Sequence, residues 1–269
     1  MFLTLLFLAS ALAGACGIVF GAGINPWWFA ALVPGLFLGA ELVYLLCILV
    51  ISLFLPKKEP KRSSAYCRLN IRLFLAWLMR VLNVKIHLKG TELLPSEPCV
   101  LISNHRSAFD PMTVLAKLKR KKLLFISKES NFKYPIAGPF IRRAAFLPID
   151  RENGMRALRT LKNAADRMMS EGVDFGIYPE GSRTKTGELQ EFKSGAFYLA
   201  KKAEAPIVVM TARNTELVGK KPFRRVHVYL YIFAVIDKET VRATSMDDLA
   251  IMTHDMVEEH LKELSQNDK

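Results

Sequence analysis

The chain has 269 residues and a formal net charge of +13, and that charge is unevenly placed. Residues 1–56 hold no Lys or Arg and one acid, Glu41, so all 38 basic residues fall in 57–269 against 24 acids, a balance of +14 there. An apolar head on a basic body points to anionic partners such as lipid headgroups, phosphorylated substrates or coenzymes, and argues against nucleic acid, for which the sequence shows no basic-aromatic stripe.

The stretch MFLTLLFLASALAGACGIVFGAG is uncharged, and after INPWW and a break expected at Pro34-Gly35 a second apolar run, LFLGAELVYLLCILVISLFL, follows. At about 1.5 Å per residue, each can cross roughly 30 Å of hydrocarbon. Asn25, Pro26, Trp27 and Trp28 between them are turn formers and interface-seeking aromatics. The expectation is a two-helix membrane hairpin over 1–56, either spanning or re-entrant. A signal peptide fits less well, because the first run lacks a basic n-region and a second apolar run follows. PKKEPKRSS comes next with four basic residues in nine, which places the body on the cytoplasmic side of a cell membrane. Cys16, Cys47, Cys67 and Cys99 show no metal-ligand spacing and read as reduced thiols, and no metal site is expected.

Residues 57–82 form a basic linker and a helix, AYCRLNIRLFLAWLMRVL, with an apolar side (Leu69, Leu73, Ala76, Trp77) and a basic rim (Arg68, Arg72, Arg80). Such a helix either lies in the headgroup layer or packs on the core.

From 83 to 269 short β-rich runs alternate with helical patterns. The strands are NVKIHLKG, PCVLIS, LLFIS, AFLPI, DFGIY, PIVVMTA and RVHVYLYIFAVI; the helices are PMTVLAKLKR, YPIAGPFIRRA, ENGMRALRTLKNAADRMMSEG, FKSGAFYLAKKA and SMDDLAIMTHDMVEEHLKELS, before a frayed QNDK. This alternation predicts an α/β domain with a mostly parallel sheet and flanking helices.

Three strand ends carry polar groups. SNHRSAFDP, 103–111, places Asp110 at a helix N-cap with Pro111 at the first helical position. Five residues apart on one helix, His105 and Asp110 would diverge by about 140°. They meet if His105 lies in the preceding loop and folds back, where a carboxylate on one ring nitrogen frees the other to take a proton. The other histidines, His87, His227, His254 and His260, have no evident acid partner and read as structural or surface groups. YPEGSRTKTGELQEFKSG, 178–195, offers Glu180, Gly181, Ser182, the planar fork of Arg183 and, at the next helix start, Lys193. LPIDREN adds the adjacent Asp150-Arg151 pair, read as a local ion pair or as a phosphate ligand. Open α/β sheets bind ligands at the carboxyl ends of their strands, so the three can share one site.

The chain resembles the glycerolipid acyltransferase family, and within it the 1-acyl-glycerol-3-phosphate acyltransferases, over roughly 83–215. Four blocks carry the likeness: Asn104, His105 and Asp110; Phe146, Ile149, Asp150 and Arg151, preceded by Pro135 and Gly138; Pro179 to Arg183 with Phe192, Lys193 and Gly195; and Pro206 with its apolar run. Two departures stand out: Ala144-Ala145 where the family often has Gly, and Tyr178 where it usually has Phe. The resemblance implies that His105, oriented by Asp110, deprotonates the sn-2 hydroxyl of lysophosphatidic acid, which then attacks acyl-CoA or acyl-carrier protein. Phosphatidic acid for phospholipid biosynthesis results, with no cofactor. Arg151 and Arg183 would hold the acceptor phosphate, Glu180 would fix the arginines or the glycerol, and amides near Gly181 would meet the oxyanion. Another lysophospholipid or glycerol-3-phosphate would fit the same cations, and a non-catalytic lipid-binding protein fits the intact His105, Asp110 and Glu180 poorly.

Overall fold

The structure, a computed structural model, describes residues 2–120, 122–184 and 186–266, so the last three residues of the tail lie outside it. Helix α1 spans Phe2–Gly21 and buries Leu3, Phe7, Ala11, Ala15 and Val19, a ridge at intervals of four that faces α2, Phe29–Phe54. Phe7 meets Tyr44 at 5.6 Å, and a Cβ on Gly14 would come within 3.2 Å of Leu36, so glycine lets the two helices close together. A one-turn helix, Pro26–Trp28, joins them, with Asn25 Oδ1 accepting from the Trp27 amide. The break expected at Pro34 does not occur: α2 runs through it. Pro34 sits near the helix start, where its missing N–H forfeits one intrahelical bond, and apolar packing on α1 holds the helix together. Both helices are long and apolar enough to cross a membrane, and both leave large apolar side chains exposed, among them Phe20, Leu42, Leu53 and Phe54.

Helix α3, Ala65–Val81, begins on the Ser64 hydroxyl and brackets the hairpin to the body. Its Trp77 Nε1 donates to Glu41 Oε1 at 3.0 Å, which gives the lone acid of the apolar head a partner. Of the two readings left open for this helix, core packing is the one its basic rim partly follows. Arg72 donates to the carbonyls of Leu118 and Arg120, and Arg68 to Ser63. Cys67, Leu75, Trp77 and Met79 are buried, while Tyr66, Leu69 and Val81 are exposed. Cys67 and Leu75 join Ile48 in a core continuous with the sheet.

Strands β1 (Val84–Lys89), β2 (Val100–Ser103), β3 (Leu123–Lys128), β4 (Leu147–Ile149), β5 (Asp174–Ile177), β6 (Ile207–Arg213) and β7 (Val226–Ile236) form one sheet in the order β1-β7-β6-β2-β5-β3-β4. Every pairing is parallel except β6 with β7. Strands β2, β5 and β6 are buried on both faces, as a sheet covered on two sides requires. Helices α4 (Phe109–Lys117) and α5 (Ala137–Arg143) pack with α3 on one side. Helices α6 (Gly154–Glu171), α7 (Tyr198–Ala203) and α10 (Met246–Gln266) group on the other. Two short helices, α8 (Thr215–Lys220) and α9 (Lys238–Ala243), have no counterpart in the sequence reading. The carboxyl ends of β6, β2, β5, β3 and β4 therefore line one edge in that order, and the antiparallel β7 begins on it.

Candidate active site

The β2 end is clamped before it reaches His105. Asn104 Oδ1 accepts from the Ala212 amide at 2.8 Å and its Nδ2 donates to the Ala212 carbonyl at 3.0 Å, so a side chain replaces a ladder rung to β6. His105 then folds back over the start of α4, with Nδ1 2.8 Å from Asp110 Oδ2. Asp110 is fully buried, and the same Oδ2 accepts the amides of Arg106 and Ser107, both at 2.8 Å. A carboxylate with three donors on one oxygen requires His105 Nδ1 to carry the proton, which leaves Nε2 unprotonated in the neutral ring.

Asp110 is not the N-cap. Helix α4 starts at Phe109 after Ala108, so Asp110 and Pro111 stand second and third. The carboxylate still satisfies amides just upstream, as a cap would, and lies where the helix dipole favours a negative charge. Arg106 is fixed in turn by a two-pronged pair with Glu216 of α8, 3.0 Å at each prong.

Among the described residues, Glu180 makes no ion pair or hydrogen bond with either arginine. It turns back onto the His105 loop, Oε1 accepting the His105 amide at 2.5 Å and Oε2 the Gln190 amide at 3.3 Å. Burial pushes its carboxyl up to about 7, opposed by those two amides and reinforced by the charge of Asp110. The His105 carbonyl accepts the Thr184 amide at 3.0 Å, which ties the loop after β5 to the loop after β2.

Tyr178 lies flat against His105, ring centroids 4.3 Å apart at 18°, and also stacks with Phe125 at 5.8 Å. Its hydroxyl is buried without a hydrogen-bond partner, as is Asp110 Oδ1. Burial and then the Asp110 charge raise the phenol well above its ordinary value, so it stays protonated.

The other expected residues fall on the flank of this cluster. Gly181 adopts φ +73°, and its amide is already bonded to the Tyr178 carbonyl at 3.1 Å, so that N–H closes the turn and does not await an oxyanion. A Cβ at Gly181 would sit 3.1 Å from Lys193 Nζ, whose chain lies over the turn. Ser182 is held by Gln190 through its hydroxyl and its carbonyl. Asp150 pairs with Arg156 at 3.4 Å rather than with Arg151, which corrects the local pair read from sequence. Burial lowers the pKa of Arg151, and the charge of Arg183 lowers it further. Neither makes an ion pair among the described residues. The sequence reading also passed over Lys128, at the end of β3 and therefore between the Arg183 and Arg151 strands on the same edge. Its signal was the one used elsewhere, a polar residue closing an apolar β-run.

A family model described as Acyltransferase matches residues 85–213, from β1 to the end of β6, which takes in this whole edge from His105 to Arg213. Over these residues the chain carries an acyltransferase domain. It is 35% identical over 113 residues to 1-acyl-sn-glycerol-3-phosphate acyltransferase beta of Homo sapiens, covering 42% of this chain and 40% of that protein. It thus spans well under half the length of this human relative. The 1-acyl-sn-glycerol-3-phosphate acyltransferase of Haemophilus influenzae is 25% identical over 236 residues, 84% of this chain and 94% of that one. The crystal structure of the 1-acyl-sn-glycerophosphate (LPA) acyltransferase of Thermotoga maritima superposes with a TM-score of 0.65 at 22% identity, covering 98% of this chain and 95% of that one, so the two share a fold.

Proposed function

We propose that this protein transfers a fatty acyl group from acyl-CoA or acyl-carrier protein to the sn-2 hydroxyl of 1-acyl-glycerol-3-phosphate, giving phosphatidic acid. The observation that carries the reading is the His105 Nδ1–Asp110 Oδ2 contact of 2.8 Å, which prepares Nε2 as a proton acceptor. The names of the relatives support the acceptor.

His105 Nε2 takes the hydroxyl proton as the oxygen attacks the thioester carbonyl. Asp110 holds the ring and stabilises the imidazolium that forms. The tetrahedral oxyanion is met by the amides of Ser182 and Arg183, which follow the occupied Gly181 amide and have no internal acceptor among the described residues. The C–S bond then breaks, and the departing sulfur takes the proton back from Nε2. Arg151 and Arg183, with Lys128 between their strands, hold the acceptor phosphate; Lys193 adds charge over the turn. Glu180 acts one step away, by fixing the backbone from which His105 projects. The apolar hairpin anchors the chain in the membrane, and the basic PKKEPKRSS segment after α2 sets the catalytic body on the cytoplasmic face.

The test follows thiol release from palmitoyl-CoA, and from palmitoyl carrier protein, by purified protein with and without lysophosphatidic acid, beside His105→Ala. Release that needs the acceptor and falls by about 10²–10⁴-fold in the variant is expected. Equal release by both proteins refutes His105 as the base. Release with glycerol-3-phosphate or another lysolipid in place of lysophosphatidic acid reassigns the acceptor.

A further inference from the structure

The inward turn of Arg68 and Arg72 raises the question of which cations meet the bilayer. The acid-free stretch from Leu217 to Ile236 contains KKPFRR, residues 220–225, at the turn between α8 and β7. All six residues are exposed, and Lys220, Lys221, Arg224 and Arg225 make no ion pair among the described residues. Phe223, at the tip, is 69% exposed and adopts φ +63°, a left-handed conformation that a bulky side chain rarely takes. The backbone is held there rather than loose: Asn83 Nδ2 donates to the Phe223 carbonyl at 3.4 Å, the Asn83 carbonyl accepts the Val226 amide at 3.2 Å, and Arg224 N–H closes a turn on Lys221.

Position gives this turn its meaning. Asn83 stands one residue past the C-cap of α3, whose Trp77 is bonded to Glu41 of the hairpin and packs on Leu3 and Phe7 of α1. The turn is therefore fixed to the end of the helix that lies against the apolar hairpin. It also sits on the catalytic edge, because β7 runs antiparallel to β6 and begins where β6 and β2 end. Lys85 of the neighbouring β1 start adds another exposed cation.

We propose that KKPFRR is a membrane-docking turn. Phe223 enters the interfacial layer, the four cations around it bind anionic phospholipid headgroups, and the contact holds the His105 edge toward the bilayer from which a lipid substrate arrives. A bilayer fits better than a soluble anion because a phosphate has no use for an aromatic ring held out among four cations. The docking inference stands on hairpin insertion, and only its purpose of facing a lipid substrate rests on the reaction proposed above.

The test places acrylodan on Phe223→Cys in the full chain, with the exposed Cys16 and Cys47 changed to alanine. The protein is reconstituted in nanodiscs of phosphatidylcholine alone or with phosphatidylglycerol. A blue-shifted emission in the anionic discs, quenched by lipid doxyl-labelled near the headgroup and unmoved by inorganic phosphate, is expected. A second variant reverses Lys220, Lys221, Arg224 and Arg225 to glutamate; it should lose most of the shift, since each cation near such a surface changes partition by about fivefold. Water-like emission in both discs overturns the proposal. So does a shift unaffected by charge reversal, or one abolished by inorganic phosphate, which would make the turn a site for soluble anions. Because the readout is emission, it holds whether or not thiol release is observed.

Discussion

The two ends of the catalytic edge are built on opposite plans. At the β2–β5 end, His105, Asp110 and Glu180 are buried, and each is held by two or more bonds to backbone or side chain. Further along, on the loops after β5, β3 and β4, Arg183, Lys128 and Arg151 make no ion pair among the described residues, and the charge of Arg183 weighs on that of Arg151. The first arrangement suits a group that must not move while a proton is transferred. The second suits a group whose partner comes from outside, because repulsion between two arginines is relieved only when an anion arrives. On the proposed reaction, the first end should govern kcat and the second KM.

The sharpest way to break this division is Asp110→Asn. The amide cannot accept from Arg106, Ser107 and His105 as the carboxylate does and leaves His105 free to take the wrong tautomer. Acceptor-dependent turnover should fall about 10²–10⁴-fold with both KM values within about threefold of wild type. A change confined to KM would show that the buried end binds substrate rather than prepares the base.

At the other end, Arg151→Ala and Arg183→Ala should each raise the KM for lysophosphatidic acid about 10–100-fold, the worth of a charge-assisted contact, and leave kcat nearly intact. The two effects should be less than additive, because removing either arginine relieves the repulsion on the other. Steady-state kinetics at fixed ionic strength decides it. Equal loss of kcat in both variants would move these arginines into the transition state.

The chain's patterns disclosed the parts of this edge better than their contacts. His105 and Asp110 were legible because a loop between CVLIS and PMTVLAKL leaves them little room to be apart. The Glu180 contact was not, because it depends on β5 lying beside β2, a pairing between residues about 75 apart that no local pattern encodes. The same holds for Tyr178, whose place against His105 follows from sheet order. Asp110 was misplaced as an N-cap because the helix gains two residues upstream of the proline. Helices α8 and α9 escaped because six residues are too short for a 3.6-residue period to repeat. The α3 helix stayed open between headgroup layer and core because charge on a helix face, as at Arg68 and Arg72, says nothing of the carbonyls it will meet.

Glu180 gives a smaller effect with a definite sign. Its carboxyl sits at about 7 in the folded protein against 4.5 as a free group, so folding favours its protonated form. That contribution to stability is complete below the unfolded value and is lost as pH rises toward 7. Glu180→Gln removes the titration, so wild type should lose melting temperature relative to the variant between pH 5 and pH 7.5. The relative change should be about 2–4 °C, on the order of 1 kcal/mol once solvent screening is allowed for. A melting difference that is flat with pH would mean that the two amides outweigh burial and that Glu180 is already ionised at pH 5.

The smallest expected effect tests whether burial at the His105 end serves the reaction or only the fold. Tyr178→Phe keeps the ring stacked with His105 and Phe125 and deletes a hydroxyl that is buried without a partner. Removing an unpaired buried polar group relieves its desolvation, so the variant should be more stable by about 1 kcal/mol, read as a rise of about 2–4 °C in melting temperature. If His105 needs only the stacked ring, kcat and its pH profile should stay within about twofold of wild type. Should the acid limb of kcat/KM move upward instead, the phenol is donating to Asp110 Oδ1 during turnover and drawing charge away from the His105 partner. The over-determined end of the edge would then contain a fourth working group, and the contrast with the open arginine end would be larger than the static bonds indicate.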